Sequence, residues 1–359
     1  MKRLQSRAIG PAPLSMIVGF FTFGGIMTII FDKPFKTYTQ QVEHLKKKYN
    51  LNISNNVFAE DALSAMSYYD LINGYKECFL SNNKFNKDIT IEFLYMFYLF
   101  DKGFQNILFR QSMFIENAFK TKLAYILSKN ISVDINDYLD SSHYTTKSYG
   151  KLTFQDVKNE IESHTYKSPK PPQPTKHYVD NHNHIPPWIL FKNISFSNAI
   201  NILLFLNAND KAEIINSIIS KNVKYKEKVD FLLTALNIIR DFRNKIAHNL
   251  KFVTHRYDYR PLKAQTSKKI ISPVLLSWDD IKQQNRGLCD IYSMILSIIA
   301  LQKDKFLTQT FLNELITFIT PQNISENEMV KNALYNHYAN ITNLPNDLAQ
   351  RLITYRNTL

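Results

Sequence analysis

The sequence predicts an all-α fold. Glycine is scarce, at 8 of 359 residues. Apolar residues recur at helical spacing over long stretches, and no alternating strand pattern runs for more than a few residues. With 45% hydrophobic and 21% charged residues, the chain is globular rather than disordered. Its length suits one large domain or two small ones with a sizeable core.

The N-terminus stands apart. Leu14 to Phe31 (LSMIVGFFTFGGIMTIIF) carries no charge and follows Lys2, Arg3 and Arg7. It reads as a short membrane anchor or signal sequence, at the lower length limit for a span. No small-residue cleavage site follows it. Gly10, Gly19, Gly24 and Gly25 make up half of all glycines in the chain. The reading favoured is that translation starts at Met27. Residues 1–32 are then an apolar extension, the fold begins near Lys33, and no stable membrane association is expected.

Residues 33–88 form an N-terminal helical region. Thr37 to Lys48 (TYTQQVEHLKKK) is predicted as a helix with Val42 and Leu45 inward, and its three closing lysines suit the helix dipole. Asn50 to Asn56 is a polar turn. Ala59 to Phe79 is a second helical region, with Tyr68, Tyr69, Leu71, Gly74 and Tyr75 clustered. These tyrosines read as core packing with hydroxyls at the rim.

Residues 89–275 hold the longest apolar-periodic stretch. Two helices, Ile89–Phe100 and Lys102–Ser128, are expected with a break near Asp101 and Gly103. Residues 163–187 are rich in proline and read as a mobile, solvated insertion. Its His177, His182 and His184 lack the cysteines or acids of a metal site, so no metal is assigned. Helices follow at Ser197–Asn207, Lys211–Lys221 and Val229–Leu250. Residues 276–359 form a C-terminal helical region, with helices at Ser277–Lys303, Phe306–Ile319 and Ser325–Asn340.

Charge points to a polyanion. The 44 Lys and Arg against 31 Asp and Glu leave a formal net charge of +13, which attracts nucleic acid through counterion release. Lys224, Lys226 and Lys228 form one basic run. Arg256, Arg260, Lys263, Lys268 and Lys269 lie in a basic loop after the Val229–Leu250 helix. These eight residues are the candidate RNA contacts. Two distant cysteines, Cys78 and Cys289, supply neither a disulfide framework nor a zinc site and fit a reducing cytoplasm.

The segment that carries chemistry is Ala235 to Leu250 (ALNIIRDFRNKIAHNL). On a helix, Ile239, Phe242, Ile246 and Leu250 form an apolar stripe. Arg240, Asn244 and His248 form a second stripe, with Arg243 beside it. A histidine titrates near neutrality and can move the protons of RNA transesterification. An arginine can hold the phosphate bidentately and offset charge in the transition state. Asparagine can orient either. The chemistry needs no metal, and no cofactor is expected. Arg243, His248 and Asn244 are therefore the catalytic candidates, although an amphipathic helix with a polar face has the same pattern.

The string R-N-K-I-A-H (Arg243–His248) resembles the R-x4–6-H signature of HEPN ribonucleases. The chain as a whole resembles the bacterial abortive-infection Abi_2 family (AbiD/AbiF-like). The resemblance rests on KPFKTYTQQVEHLKKK, YYDLINGY, FRQSMFIENAFKTKLAY (Phe109–Tyr125) and PPWILFKNISFSNAINILLFL (Pro186–Leu206), in that order before the signature. It covers roughly Lys33 to Arg256. It implies a HEPN-like helical bundle with additional N- and C-terminal helices, acting as an RNA-cleaving toxin in phage defence or a toxin–antitoxin pair. It also implies a homodimer, because one chain holds only one such motif, and a structured noncoding RNA that restrains the nuclease. By the same analogy Glu116 or Arg110 supports the site, and Arg240, on the stripe with Asn244 and His248, is a further supporting candidate. A non-catalytic RNA-binding sensor is the alternative. A membrane-active toxin using Leu14–Phe31 is a third reading.

Overall fold

In the computed structural model, residues 32–219, 221–320 and 326–359 are described, with side chains from 334 onward in the last stretch. The apolar segment Leu14–Phe31 and the candidate start Met27 lie outside the described residues. Among the described residues, no helix is long and apolar enough to cross a membrane.

The all-α expectation holds. The helices run α1 (Tyr38–Tyr49), α2 (Asn56–Met66), α3 (Lys76–Phe79), α4 (Ile91–Asn130), α5 (Ile135–Tyr138), α6 (Phe154–His164), α7 (Thr175–Asn181), α8 (Pro187–Asn193), α9 (Phe196–Phe205), α10 (Ala208–Ile218), α11 (Tyr225–Ala247), α12 (Ala264–Ile270), α13 (Trp278–Gln284), α14 (Ile291–Leu301), α15 (Lys305–Ile319), α16 (Glu326–Thr342) and α17 (Leu348–Arg356). Among the described residues the only sheet is a hairpin of β1 (Leu80–Ser81) and β2 (Lys84–Phe85). Asn82 and Asn83 both take positive φ at its turn, as a tight two-residue hairpin requires.

Helix α1 forms where the sequence places it. Thr37 and Gln40 make a reciprocal capping box, Asn50 closes the helix in the left-handed region, and Val42 and Leu45 are buried. The turn after it is less polar than expected, because Leu51 and Ile53 are buried. The expected Ala59–Phe79 helix is divided. Ser67 takes φ 62°, and a π-turn spans Tyr69–Asn73 before α3. That turn brings the Asp70 carbonyl against Gly74, where a Cβ would lie 2.4 Å from the oxygen. The tyrosines also depart from the expectation. Tyr69 is exposed, whereas Tyr75 is buried together with its hydroxyl.

The largest correction concerns α4. Asp101 and Gly103 do not break it: the helix runs unbroken for 40 residues, about 60 Å. Asp101 is buried inside it and accepts hydrogen bonds from Tyr75 Oη (2.8 Å), Gln105 Nε2 (2.6 Å) and Tyr338 Oη (2.9 Å). Burial nevertheless pushes its carboxyl above the usual range, against those hydrogen bonds. Gly103 is required because Phe318 of α15 lies against it, with a Cβ position 2.6 Å from the ring. Both residues that look like helix breakers in the sequence serve tertiary packing.

The bundle core forms around α4 and α11. Helix α11 packs on α14, α4 and α9, and α4 also packs on α8, α10, α15 and α16. Nearly every residue of α14 is buried, so the C-terminal region shares the central core. The proline-rich segment is anchored and partly helical, contrary to a mobile insertion. Thr175 opens α7 with its hydroxyl donating to Asn193 Oδ1 (2.7 Å). Asn193 Nδ2 in turn donates to the Gln173 carbonyl (2.8 Å). The helix expected over Ser277–Lys303 is two, α13 and α14, separated by Gly287 at φ 80°.

Asp280 fastens the C-terminal helices. It is buried and accepts from Arg286 Nη1 (3.0 Å), Arg351 Nη1 (2.6 Å) and the Ser277 hydroxyl (2.7 Å). Burial alone would raise its carboxyl, but these hydrogen bonds, that of Arg351 foremost, bring it down to about 2.

Two stability measurements check these contacts. Asp101→Ala strands two buried hydroxyls and an amide and is expected to cost about 3–5 kcal/mol in urea unfolding. Asp280 has a native value below its unfolded one. Its contribution is therefore full above about pH 4 and is lost as pH falls through about 2. Asp280→Asn is expected to flatten that acid limb in thermal melts between about pH 4 and 2.

Candidate functional site

The candidate residues lie at the C-terminal end of α11. Ile239 and Phe242 are buried as expected, and Ile246 is half-buried. Leu250 leaves the stripe, because the helix ends at Ala247 and Leu250 is exposed. His248 is the C-cap (φ −97°, ψ 11°), and Asn249 follows in the left-handed region. The His248 side chain is exposed and makes no hydrogen bond among the described residues.

Two contacts fix this end of α11 to α4. Lys102 Nζ donates to Asn249 Oδ1 (2.7 Å), just beyond the cap. Glu116 Oε2 lies 3.3 Å from Arg243 Nη2, and Glu116 Oε1 lies 2.7 Å from Lys120 Nζ. Glu116 therefore bridges two cations. Arg243 Nη1 also donates to Asn244 Oδ1 (3.0 Å), and its guanidinium stands 6.0 Å from the Phe109 ring centre. Its Nε is buried with no acceptor among the described residues. Arginine, asparagine and glutamate are thus assembled, with the Arg243 side chain still about 31% exposed.

Arg243 and His248 do not touch. Five helical residues separate their Cα atoms by about 7.5 Å along the axis and about 140° around it. Of the other candidates, Arg240 Nη1 donates to Ser197 Oγ of α9 (2.8 Å). Arg110 turns the other way and pairs with Glu314 of α15. Glu116 is the supporting candidate that reaches Arg243.

The model of the Abi-like protein family (Abi_2) matches residues 61–253, over half of the chain. The chain belongs to the Abi-like family. No curated protein and no solved structure matches it. The Abi-like region takes in α4, α8 and α11, hence Glu116, Arg243, Asn244 and His248. Family membership points to abortive infection.

Most of the basic set lies elsewhere. After α11 the chain turns back along it, so the expected basic loop is a return segment stitched to the helix and ending in α12. His255 pairs with Asp241, Arg260 and Lys263 share Asp230, and Lys269 pairs with Glu227. Lys268 donates to the Leu276 carbonyl, Arg256 to the His255 and Ile341 carbonyls, and Lys228 to Asn216. Lys224 and Lys226 are exposed. The Asp230 end of α11 lies about 27 Å from His248 along the axis. The structure therefore does not bring the basic cluster to the candidate site.

Sequence reasoning missed what lies beside Arg243. A cleft of about 400 Å³ opens between α4 and α8, lined by Met113, Asn117, Lys120, Trp188, Lys192 and Arg243. The signal was present in the sequence: Met113, Asn117 and Thr121 recur every four residues off the apolar stripe of α4. Trp188 and Lys192 do the same on α8. Among the described residues, no group of three histidines, cysteines or acids is placed to hold a metal.

Replacement of the candidate residues should leave the fold intact. The Arg243–Glu116 pair is partly solvated, and such pairs contribute about 1 kcal/mol or less. His248→Ala removes an exposed side chain, an effect of about 0.5 kcal/mol or less. Urea midpoints of both variants should therefore stay close to wild type, so that any loss of activity in them reflects chemistry or binding.

Proposed function

We propose that this Abi-like chain is an endoribonuclease of an abortive-infection or toxin–antitoxin system, working as a HEPN-type homodimer in the cytoplasm. The observation that carries the reading is the arrangement at the end of α11. Arg243 is oriented by Glu116 and Asn244, and an exposed His248 stands one and a half turns further on.

The reaction follows from these groups. One His248 imidazole takes the proton of the ribose 2′-hydroxyl, and the oxygen forms a bond to the adjacent phosphorus. The P–O5′ bond breaks. The leaving oxygen takes a proton from a second, protonated imidazole, leaving a 2′,3′-cyclic phosphate and a 5′-hydroxyl. Arg243 offsets the charge gathering on the phosphoryl oxygens. One chain offers one histidine in this motif, and its arginine projects about 140° away around the helix. A second copy would supply the other acid–base group and close the site. The net charge of +13 favours RNA both as substrate and as a restraining partner.

A non-catalytic RNA-binding role is the second reading, favoured by the separation of Arg243 from His248 within one chain. Expression of wild type beside an Arg243→Ala/His248→Ala variant separates the two. Wild type is expected to arrest growth and fragment RNA with 2′,3′-cyclic phosphate ends, while the variant does neither. Identical behaviour of the two proteins, with and without phage, sinks the nuclease reading.

A further inference from the structure

We infer that the cleft between α4 and α8 binds a nucleobase of an RNA strand, stacked on Trp188, with the adjoining phosphate held by Lys192 and Lys120. This rests on the proposed ribonuclease reading and names a substrate-binding subsite for it.

The cleft has the chemistry of a nucleotide site. Its apolar surfaces are Met113 and Trp188, each 49% exposed on facing helices. An indole left open to solvent beside a thioether offers a flat face for a base, and base–aromatic stacking tolerates any sequence. Lys120, Lys192 and Arg243 supply three positive charges against the single carboxylate of Glu116. Lys192 is exposed, and its Nζ makes one long contact, 3.3 Å to Asn117 Oδ1, so it can turn to a phosphate at little cost. Lys120 is firmly placed, by Glu116 and by donation to the Ile194 carbonyl (2.7 Å). About 400 Å³ is within the range of small-ligand pockets and admits one base. Arg243 itself lines the cleft, so a base seated here lies close to the phosphate that Arg243 would hold. A protein partner would meet the same apolar residues but would leave three cations facing one acid.

Tryptophan fluorescence tests the subsite without relying on cleavage. The chain has two tryptophans, Trp188 and Trp278, so the full-length Trp278→Phe protein reports on Trp188 alone. The probe is an RNA dodecamer with 2′-O-methyl riboses, which cannot undergo 2′-hydroxyl attack. It is expected to quench Trp188 emission. Trp188→Ala is expected to weaken binding about tenfold, and Trp188→Phe to restore most of it. Lys192→Ala should lower the salt dependence of binding by about one phosphate contact. Binding with unchanged Trp188 emission and unaltered affinity in Trp188→Ala overturns the subsite. So does a shift in sedimentation of Trp188→Ala with equal RNA affinity, which would make this face a protein interface. Failure of the dodecamer to bind at all overturns it too. Cleavage that ignores Trp188 removes the subsite and leaves the nuclease. Trp188-dependent binding in a protein that never cleaves does the reverse.

Discussion

The carboxylate of Asp101 is the contact around which the molecule is organised. A buried charge is tolerated only when hydrogen bonds replace its water. Here the donors come from the π-turn region (Tyr75), from α4 itself (Gln105) and from α16 (Tyr338). One side chain thus ties the N-terminal region and the C-terminal helices to the first third of α4. Its neighbour Lys102 holds Asn249, just beyond the His248 cap, and Glu116, some 20 Å further along the same rod, holds Arg243. A break at Asp101 would have cut both supports off from the first turns of α4, residues 91–100.

The difference between what could be read from the chain and what could not follows from the range of the interactions. Helix α1 was legible because Thr37, Gln40 and the terminal lysines act within the helix that they define. The apolar face of α11 was legible for the same reason at Ile239 and Phe242. Asp101 and Gly103 misled because their local preferences oppose a helix, while their tertiary partners, Tyr338 and Phe318, lie more than 200 residues away. The proline-rich segment misled in the same sense. Its composition suggests a loop, and the side chains that pin it, Asn193 of α8 and Tyr138 of α5 among them, belong to other elements. At the candidate site, the residue types of Arg243, Asn244 and His248 could be read directly. The exposure of Trp188 and the double contact of Glu116 could not, since both depend on how α4 meets its neighbours.

Net charge shows the same limit. An excess of cations describes the field of the whole molecule, not where a ligand sits. Along the return segment the cations answer Asp230 and Glu227 and fasten the chain to α11. The few cations beside Arg243 are fewer but better placed: Lys120 and Lys192 flank an open cleft, and only Glu116 opposes them. A basic run in a sequence and a cluster of open cations in a structure are therefore different things, and here they occupy opposite ends of one helix.

Glu116 sets how that end of the helix behaves. A carboxylate bridging Lys120 and Arg243 lowers the local positive charge while the site is empty, and it fixes the guanidinium against Phe109. A phosphate arriving at Arg243 meets a group already oriented, so little side-chain entropy remains to be lost. It also meets an Nε with no acceptor among the described residues, a buried donor that gains the most from an incoming anionic oxygen. His248 of the same chain lies further along and around α11 and makes no contact with this arginine among the described residues. Pre-orientation within a chain and completion between chains are thus separate demands. The fold meets the first through α4, and the second is what the proposed homodimer would supply.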